Sequence, residues 1–237
     1  MDLPERRLKS IYARDYRALA RERLAGHWGV SILVAFVATL LGGAVGGSSF
    51  SFEISIETQE YVENYMPSLI PFLTVYLTAM GGLGLAQFIL GGPIALGNAQ
   101  YLLDQHDCKE LDFKTLFSKF EQFGTGFLMH LLMGLYTLLW GLLFIIPGIV
   151  AGYSYAMTPF ILAEHPELTA NEAIRASKEM MYGHKWELFC LDWSFFGWHL
   201  LCALTLGIGN FFVGPYISAA YAAFYRQISG TGVTVVE

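Results

Sequence analysis

Charged side chains are scarce in this sequence. They make up 14% of its 237 residues, against about 25% in an average soluble domain. The stretches 28–47, 67–103, 124–163 and 186–228 are almost free of charge. A single soluble domain of this size has no core large enough to hide that apolar surface, so a soluble globular fold is excluded as the first reading. Basic residues are missing altogether between Arg23 and Lys109, where the segment 48–66 instead carries Glu53, Glu57, Glu60 and Glu63. There is no phosphate loop, no dinucleotide glycine fingerprint, no Gly-x-Ser-x-Gly elbow and no His-Glu-x-x-His, which argues against an ATPase or a familiar hydrolase. Cysteine is limited to Cys108, Cys190 and Cys202, without metal-ligand spacing or a disulfide framework. Residues 3–26 carry seven basic side chains and no apolar core or cleavage site, so they do not read as a signal peptide. The formal charge of −6 says little about partners, because the signs are sorted along the chain.

What is present is apolar sequence in continuous runs. Each run is long enough to cross the ~30 Å hydrocarbon core, which takes about 20 helical residues. Strands are the poorer reading, since an open sheet leaves its backbone unsatisfied in lipid. The expected fold is an all-α polytopic membrane bundle. It has six spans arranged as three hairpins, preceded by amphipathic cytoplasmic helices. The boundaries are a basic amphipathic helix over 1–27, a membrane domain over 28–228, and a short tail over 229–237. The spans fall at about 28–47, 67–103 (one crossing, broken at Gly81-Gly82 and Gly91-Gly92-Pro93 or preceded by an interfacial piece), 124–146, 148–163, 186–207 and 210–227. Pro147-Gly148 and the Gly207–Asn210 segment supply two of the turns. With the N-terminus inside, all 14 Lys and Arg residues fall on the cytoplasmic side, as the positive-inside rule demands. They sit in the N-terminal segment, at Lys109, Lys114 and Lys119, at Arg175, Lys178 and Lys185, and at Arg226. Five or seven spans would put a basic loop outside.

Three amphipathic segments precede the outward-going spans. In the first, Leu8, Ile11, Tyr12, Tyr16 and Leu19 share a helical face, and Arg6, Arg7, Arg14, Arg17 and Arg21 gather opposite, the pattern of a helix lying in an anionic interface. In the second, Asp112 is a candidate N-cap for a stripe of Phe113, Leu116, Phe117, Phe120 and Phe123 at 3.6 spacing. In the third, Thr169 and Glu172 form a capping box ahead of Ile174, Ser177 and Met181. Intramolecular or interfacial packing is the plainer role of all three. A faint internal repeat runs through Pro93, Pro147 and Pro215, with Pro93 to Tyr101 and Pro147 to Tyr155 at equal spacing. Trp28, Trp186, Tyr153 and Tyr225 suit interfacial belts, and the Gly42–Gly47 and Ala219–Ala223 stretches suit close helix contacts.

Over residues 135–225 the motifs resemble a known group. Leu139-Trp140, Ile145-Ile146-Pro147-Gly148-Ile149 and Tyr155-Ala156-Met157 resemble the first half of its signature. Glu172-Ala173-Ile174, Met180-Met181-Tyr182-Gly183-His184-Lys185, Phe195-Phe196-Gly197-Trp198, Leu204-Thr205-Leu206-Gly207 and Pro215-Tyr216 resemble the second. These are similar to the bacterial integral membrane proteins called domain of unknown function 975. The N-terminal half resembles them only in helix order and in the Gly26-His27-Trp28 entry to the first span. The acidic segment 48–66 is longer than the group leads one to expect. The resemblance implies a multi-pass protein of the bacterial cytoplasmic (inner) membrane with both termini inside, and it brings no activity.

Ionisable residues inside spans are costly and raise a functional hypothesis. Asp192 lies about 10 Å into the fifth span at 1.5 Å per residue, and His130 lies at similar depth in the third. His199, seven residues past Asp192, shares its face and lies nearer the outer surface. The functional reading is a proton or cation relay with Asp192 binding and the histidines shuttling. The plainer reading has Asp192 bonded to a Trp or Tyr. Tyr153, Tyr155 and Tyr221 are candidate pocket residues, although packing suits them better. The leading expectation is a non-enzymatic module, with no cofactor, metal or nucleic acid, that interacts with membrane lipids through its bundle and arginines. A membrane-protein partner or a second copy is the further candidate. The alternative is a small transporter or transport subunit using the Asp/His set, and the third reading is an intramembrane enzyme.

Overall fold

The computed structural model describes residues 13–45, 70–204 and 209–230, and every regular element among them is helical. Expectations for Arg6, Arg7, Gly46, Gly47, the acidic segment 48–66, the 205–208 turn and the tail beyond Gly230 fall outside the described residues. In chain order the elements are α1 (Ala13–Leu24), α2 (Trp28–Leu40), α3 (Ile70–His106), a 3-10 helix (Phe113–Gln122), α4 (Phe123–Leu143), α5 (Ile145–Tyr155), α6 (Thr158–Glu164), α7 (Ala170–Met180), α8 (Lys185–Ser194), α9 (Phe196–Leu204) and α10 (Asn210–Ile228). Two described stretches, Phe113–Leu143 and Ile146–Glu164, are long and apolar enough to cross a membrane. A third joins them if α1 and α2 form one broken span.

α1 buries Tyr16, Ala20 and Leu24 at four-residue steps, one stripe of a 3.6 period. That stripe packs on α10, with the Tyr16 and Phe224 rings 5.4 Å apart. α2 leaves α1 at 108° and has only 13 residues, about 20 Å at 1.5 Å per residue, short of the hydrocarbon thickness. Beyond Leu40 the chain doubles back along α3. Gln87 donates to the Leu40 carbonyl at 3.0 Å, Asn98 to that of Gly43 at 3.2 Å, and Ser218 of α10 to that of Val45 at 2.7 Å. In lipid each carbonyl left without such a donor would cost several kcal/mol, so these three side chains are what permit non-helical backbone there.

The expected break in 67–103 is not found. α3 runs unbroken for 37 residues with Pro93 inside it. Of the glycines read as breaks, Gly91 and Gly92 are instead points of close approach, and Gly97 is a further one. A Cβ on Gly92 would lie 2.1 Å from the Gly126 carbonyl of α4, and one on Gly97 would lie 1.9 Å from that of Leu116 in the 3-10 helix. The stripe over 113–123 also differs from expectation, being 3-10 rather than α. Its spacing fits both windings, because i and i+3 line up in a 3-10 helix, as Phe117, Phe120 and Phe123 do. The Asp112 carboxylate caps it by accepting from the Lys114 amide at 3.0 Å. The chain reverses at Phe144, which is extended, so that Gly148 lies against Gly141 and the Tyr136 and Tyr155 rings meet at 6.2 Å. Pro147 sits in the first turn of α5, where its missing N–H is no loss.

The capping box is formed. The Thr169 hydroxyl accepts from the Glu172 amide at 3.4 Å and the Glu172 carboxylate accepts from the Thr169 amide at 2.8 Å. Ile174, Ser177 and Met181 are buried behind it. The backbone and side-chain hydrogen bonds from Thr169 hold the Glu172 carboxyl below its ordinary range. A depressed carboxyl contributes stability above its unfolded pKa and loses it as pH falls through the folded one. Thr169→Ala removes the N-cap side chain and is expected to lower the stability of the solubilised protein by about 1 kcal/mol. Unfolding midpoints should show the Glu172→Gln difference shrinking as pH is lowered through the acidic range. A difference constant with pH would mean that the ionised carboxylate adds nothing to the cap.

Candidate functional site

Asp192 sits near the end of α8, just before the helix is interrupted at Phe195. α8 packs on α1 and α5, and α10 returns alongside α9. This arrangement brings one tyrosine from α5 and one from α10 onto the same carboxylate. The Tyr153 hydroxyl donates to Asp192 Oδ2 at 2.9 Å. The Tyr221 hydroxyl lies 2.8 Å from Oδ1 and 2.9 Å from Oδ2. Tyr221 is 6% exposed, while Asp192 and Tyr153 are half-buried. Two donors converging on a carboxylate with no donor of its own fit the ionised form, and hydrogen bonds to a charged group contribute about 1.5–3 kcal/mol each.

The two phenols border a cavity of about 310 Å³. Its other walls are apolar, including Val45 of the segment after α2, Met133 of α4, and Ile149 and Pro159 on either side of the α5–α6 junction. Asp192 lies behind the phenols and reaches the cavity through them. The size falls at the low end of small-molecule pockets, roughly 300–1,000 Å³.

The histidines do not join this arrangement. His130 lies on α4 against Gly91 of α3, and α4 packs on α3, α5 and α7. The described hydrogen bonds of the Asp192 carboxylate run to Tyr153 and Tyr221. His199, on α9 beyond the interruption at Phe195, is exposed and is not among the described hydrogen-bond partners of Asp192, although its imidazole acts on Asp192 electrostatically. Of the tyrosines, Tyr153 and Tyr221 do line the cavity. Tyr155 packs instead in a small cluster with Ala151 and Ile174. Neither Tyr153 nor Tyr225 is free for an interfacial belt, since Tyr225 is 1% exposed and donates to Glu164 at 2.6 Å. Trp186 is exposed, stacked 5.1 Å from Phe189.

Among the N-terminal arginines, Arg14 and Arg21 are exposed, whereas Arg17 donates to the Ser194 carbonyl at 3.2 Å and so fastens α1 to α8. Arg226 is 6% exposed and forms a cluster that reasoning from the sequence did not anticipate. Its guanidinium bonds Glu164 at the end of α6 and lies 2.5 Å from Asp107 just past α3. Lys109 extends the cluster, 2.9 Å from Asp104 and 3.8 Å from Asp107. The hydrogen bond to Asp104 holds Lys109 above the ordinary lysine range. The available signal was that Asp107, Glu164 and Arg226 each stand at the end of an apolar run. Among the described residues no three His, Cys, Asp or Glu side chains converge as metal ligands would, and none of the three cysteines forms a disulfide.

Residues 142–231 match the family described as "Protein of unknown function (DUF975)". The match covers α5 to α10, hence all three members of the Tyr153–Asp192–Tyr221 set. No curated protein and no solved structure matches the chain.

Proposed function

For a chain whose membrane-compatible C-terminal part matches a family of unknown function, we propose a membrane-embedded, non-enzymatic module that binds an amphipathic molecule. The observation that carries this reading is the cavity itself, with apolar walls for an aliphatic portion and two Asp-anchored phenols for a polar portion. The protein sits in the bacterial inner membrane with both termini inside and six crossings. The distribution of its 14 basic residues supports this topology. So does the meeting of Lys109 and Arg226 in one ionic cluster. Membrane lipids are its surroundings and its nearest source of ligands, and the exposed Arg14 and Arg21 add contacts to anionic headgroups.

A second reading, a small transporter, is favoured by one feature. The non-helical segment after α2 contributes Ala44 and Val45 to the cavity, and interrupted helices mark binding sites in transporters. Binding comes first under either reading. Native mass spectrometry of protein released from nanodiscs is expected to show one stoichiometric amphiphile adduct. Tyr153→Phe/Tyr221→Phe should weaken it roughly tenfold, the loss of one charge-assisted hydrogen bond. A heterogeneous lipid ladder that the double substitution leaves unchanged would overturn the reading.

A further inference from the structure

We propose that the cavity selects a cationic amphiphile, an alkylammonium or similar amine with a short aliphatic portion. This rests on the reading of the cavity as an amphiphile site and adds the sign of the charge. Both phenol hydrogens are directed to Asp192, so the phenols have none left for a ligand. What they offer the cavity is oxygen lone pairs and ring faces. A carboxylate accepting a phenol hydrogen makes that oxygen more electron-rich, and an aromatic face attracts a cation directly.

Charge balance points the same way. No Lys or Arg is among the described hydrogen-bond or ion-pair partners of Asp192. Arg17, which reaches the end of α8, is turned to the Ser194 carbonyl. The imidazole of His199 is close enough to act on Asp192 electrostatically, but it is exposed on the far side of the helix break. A half-buried carboxylate held only by neutral donors leaves net negative charge in an apolar setting, where an opposite charge is worth most. An anionic amphiphile would meet that charge with no free donor to receive it. A neutral alcohol would find acceptors but gain nothing from the carboxylate. The apolar walls at Val45, Met133, Ile149 and Pro159 accept the chain, and the volume limits its length.

The test uses full-length protein in nanodiscs of phosphatidylcholine, with three probes of equal chain length: decyltrimethylammonium, decanol and decyl sulfate. Binding is read by native mass spectrometry and by competition. The ammonium is expected to bind in a one-to-one complex, at least tenfold tighter than the alcohol, with the sulfate weakest. Asp192→Asn should remove the ammonium's advantage while the alcohol's affinity changes less than twofold. If that variant does not fold, Tyr153→Phe, which deletes one of the two polarised phenols, is expected to lower the ammonium's advantage in the same direction. Decanol binding as well as the ammonium would overturn the charge selection but leave the amphiphile site standing. Stronger binding of the sulfate would overturn it too. No binding of any probe would overturn both. An ammonium preference untouched by both substitutions would place the cation elsewhere and overturn the assignment.

Discussion

Alanine at Gly92 is expected to leave the solubilised protein severely destabilised. The added Cβ would sit 2.1 Å from the Gly126 carbonyl oxygen, 2.4 Å from its carbon and 2.7 Å from the Phe127 nitrogen. All three atoms are backbone, so no side chain can swing aside, and α3 and α4 would have to separate along their shared line. Overpacking in a closed site costs about 1–3 kcal/mol and more where the surroundings cannot shift, so a loss of about 3 kcal/mol is expected here. Gly134→Ala is the matched control, lying on α4 with nothing within 4 Å of the added carbon. It should be neutral or up to about 1 kcal/mol stabilising, because alanine is the better helix former. Unfolding midpoints in detergent and the monodisperse fraction after purification measure both. Equal stability of the two variants would show that α3 and α4 do not approach as described.

The second large effect is expected at Arg226. It is almost fully buried and answers Glu164 and Asp107, whose side chains are 26% and 28% exposed. Removing one partner of a buried ion pair costs about 3–5 kcal/mol, because a charge is left uncompensated. Partial exposure of both carboxylates puts Arg226→Leu at the lower end, about 3 kcal/mol. Its lysine counterpart should recover only part of this, since an ammonium lacks the planar fork that spans two acids. Adding Glu164→Gln and Asp107→Asn to Arg226→Leu should restore most of the stability, as the stranded charges are then gone. A triple variant no better than the single one would mean that Arg226 acts through packing alone.

How much of this was legible in the sequence differs by element. Helical class, the capping box at Thr169 and Glu172, and the reversal near Pro147 were all readable, because each rests on local pattern. The glycines of α3 were misread, because Gly91-Gly92-Pro93 spells a helix break and a helix contact in the same letters. Which one prevails depends on whether another backbone, here that of Gly126, comes to lie against it. Asp192 was found from its cost in an apolar span, but its pairing with His130 was not realised. Equal depth in two helices says nothing about whether the helices touch, and α4 faces α3 while α8 faces α1 and α5. His199 lies within electrostatic reach of Asp192 but is not among its described hydrogen-bond partners. The phenols were visible only as candidates, since their convergence needs α5, α8 and α10 at once. The Arg226 cluster escaped for the same reason, drawing its members from three ends of apolar runs.

The carbonyl of Val45 has a consequence for how the chain is made. Its donor, Ser218, lies 173 positions downstream. At about 5–20 residues per second, synthesis needs roughly 9–35 s to cover that distance. Gln87 and Asn98 become available 42 and 53 residues into that stretch, and for the rest of it the segment after α2 still lacks its last partner. The segment after α2 is therefore completed only when α10 arrives, and a ribosome that stops before α10 releases a chain in which that segment is still waiting to be closed.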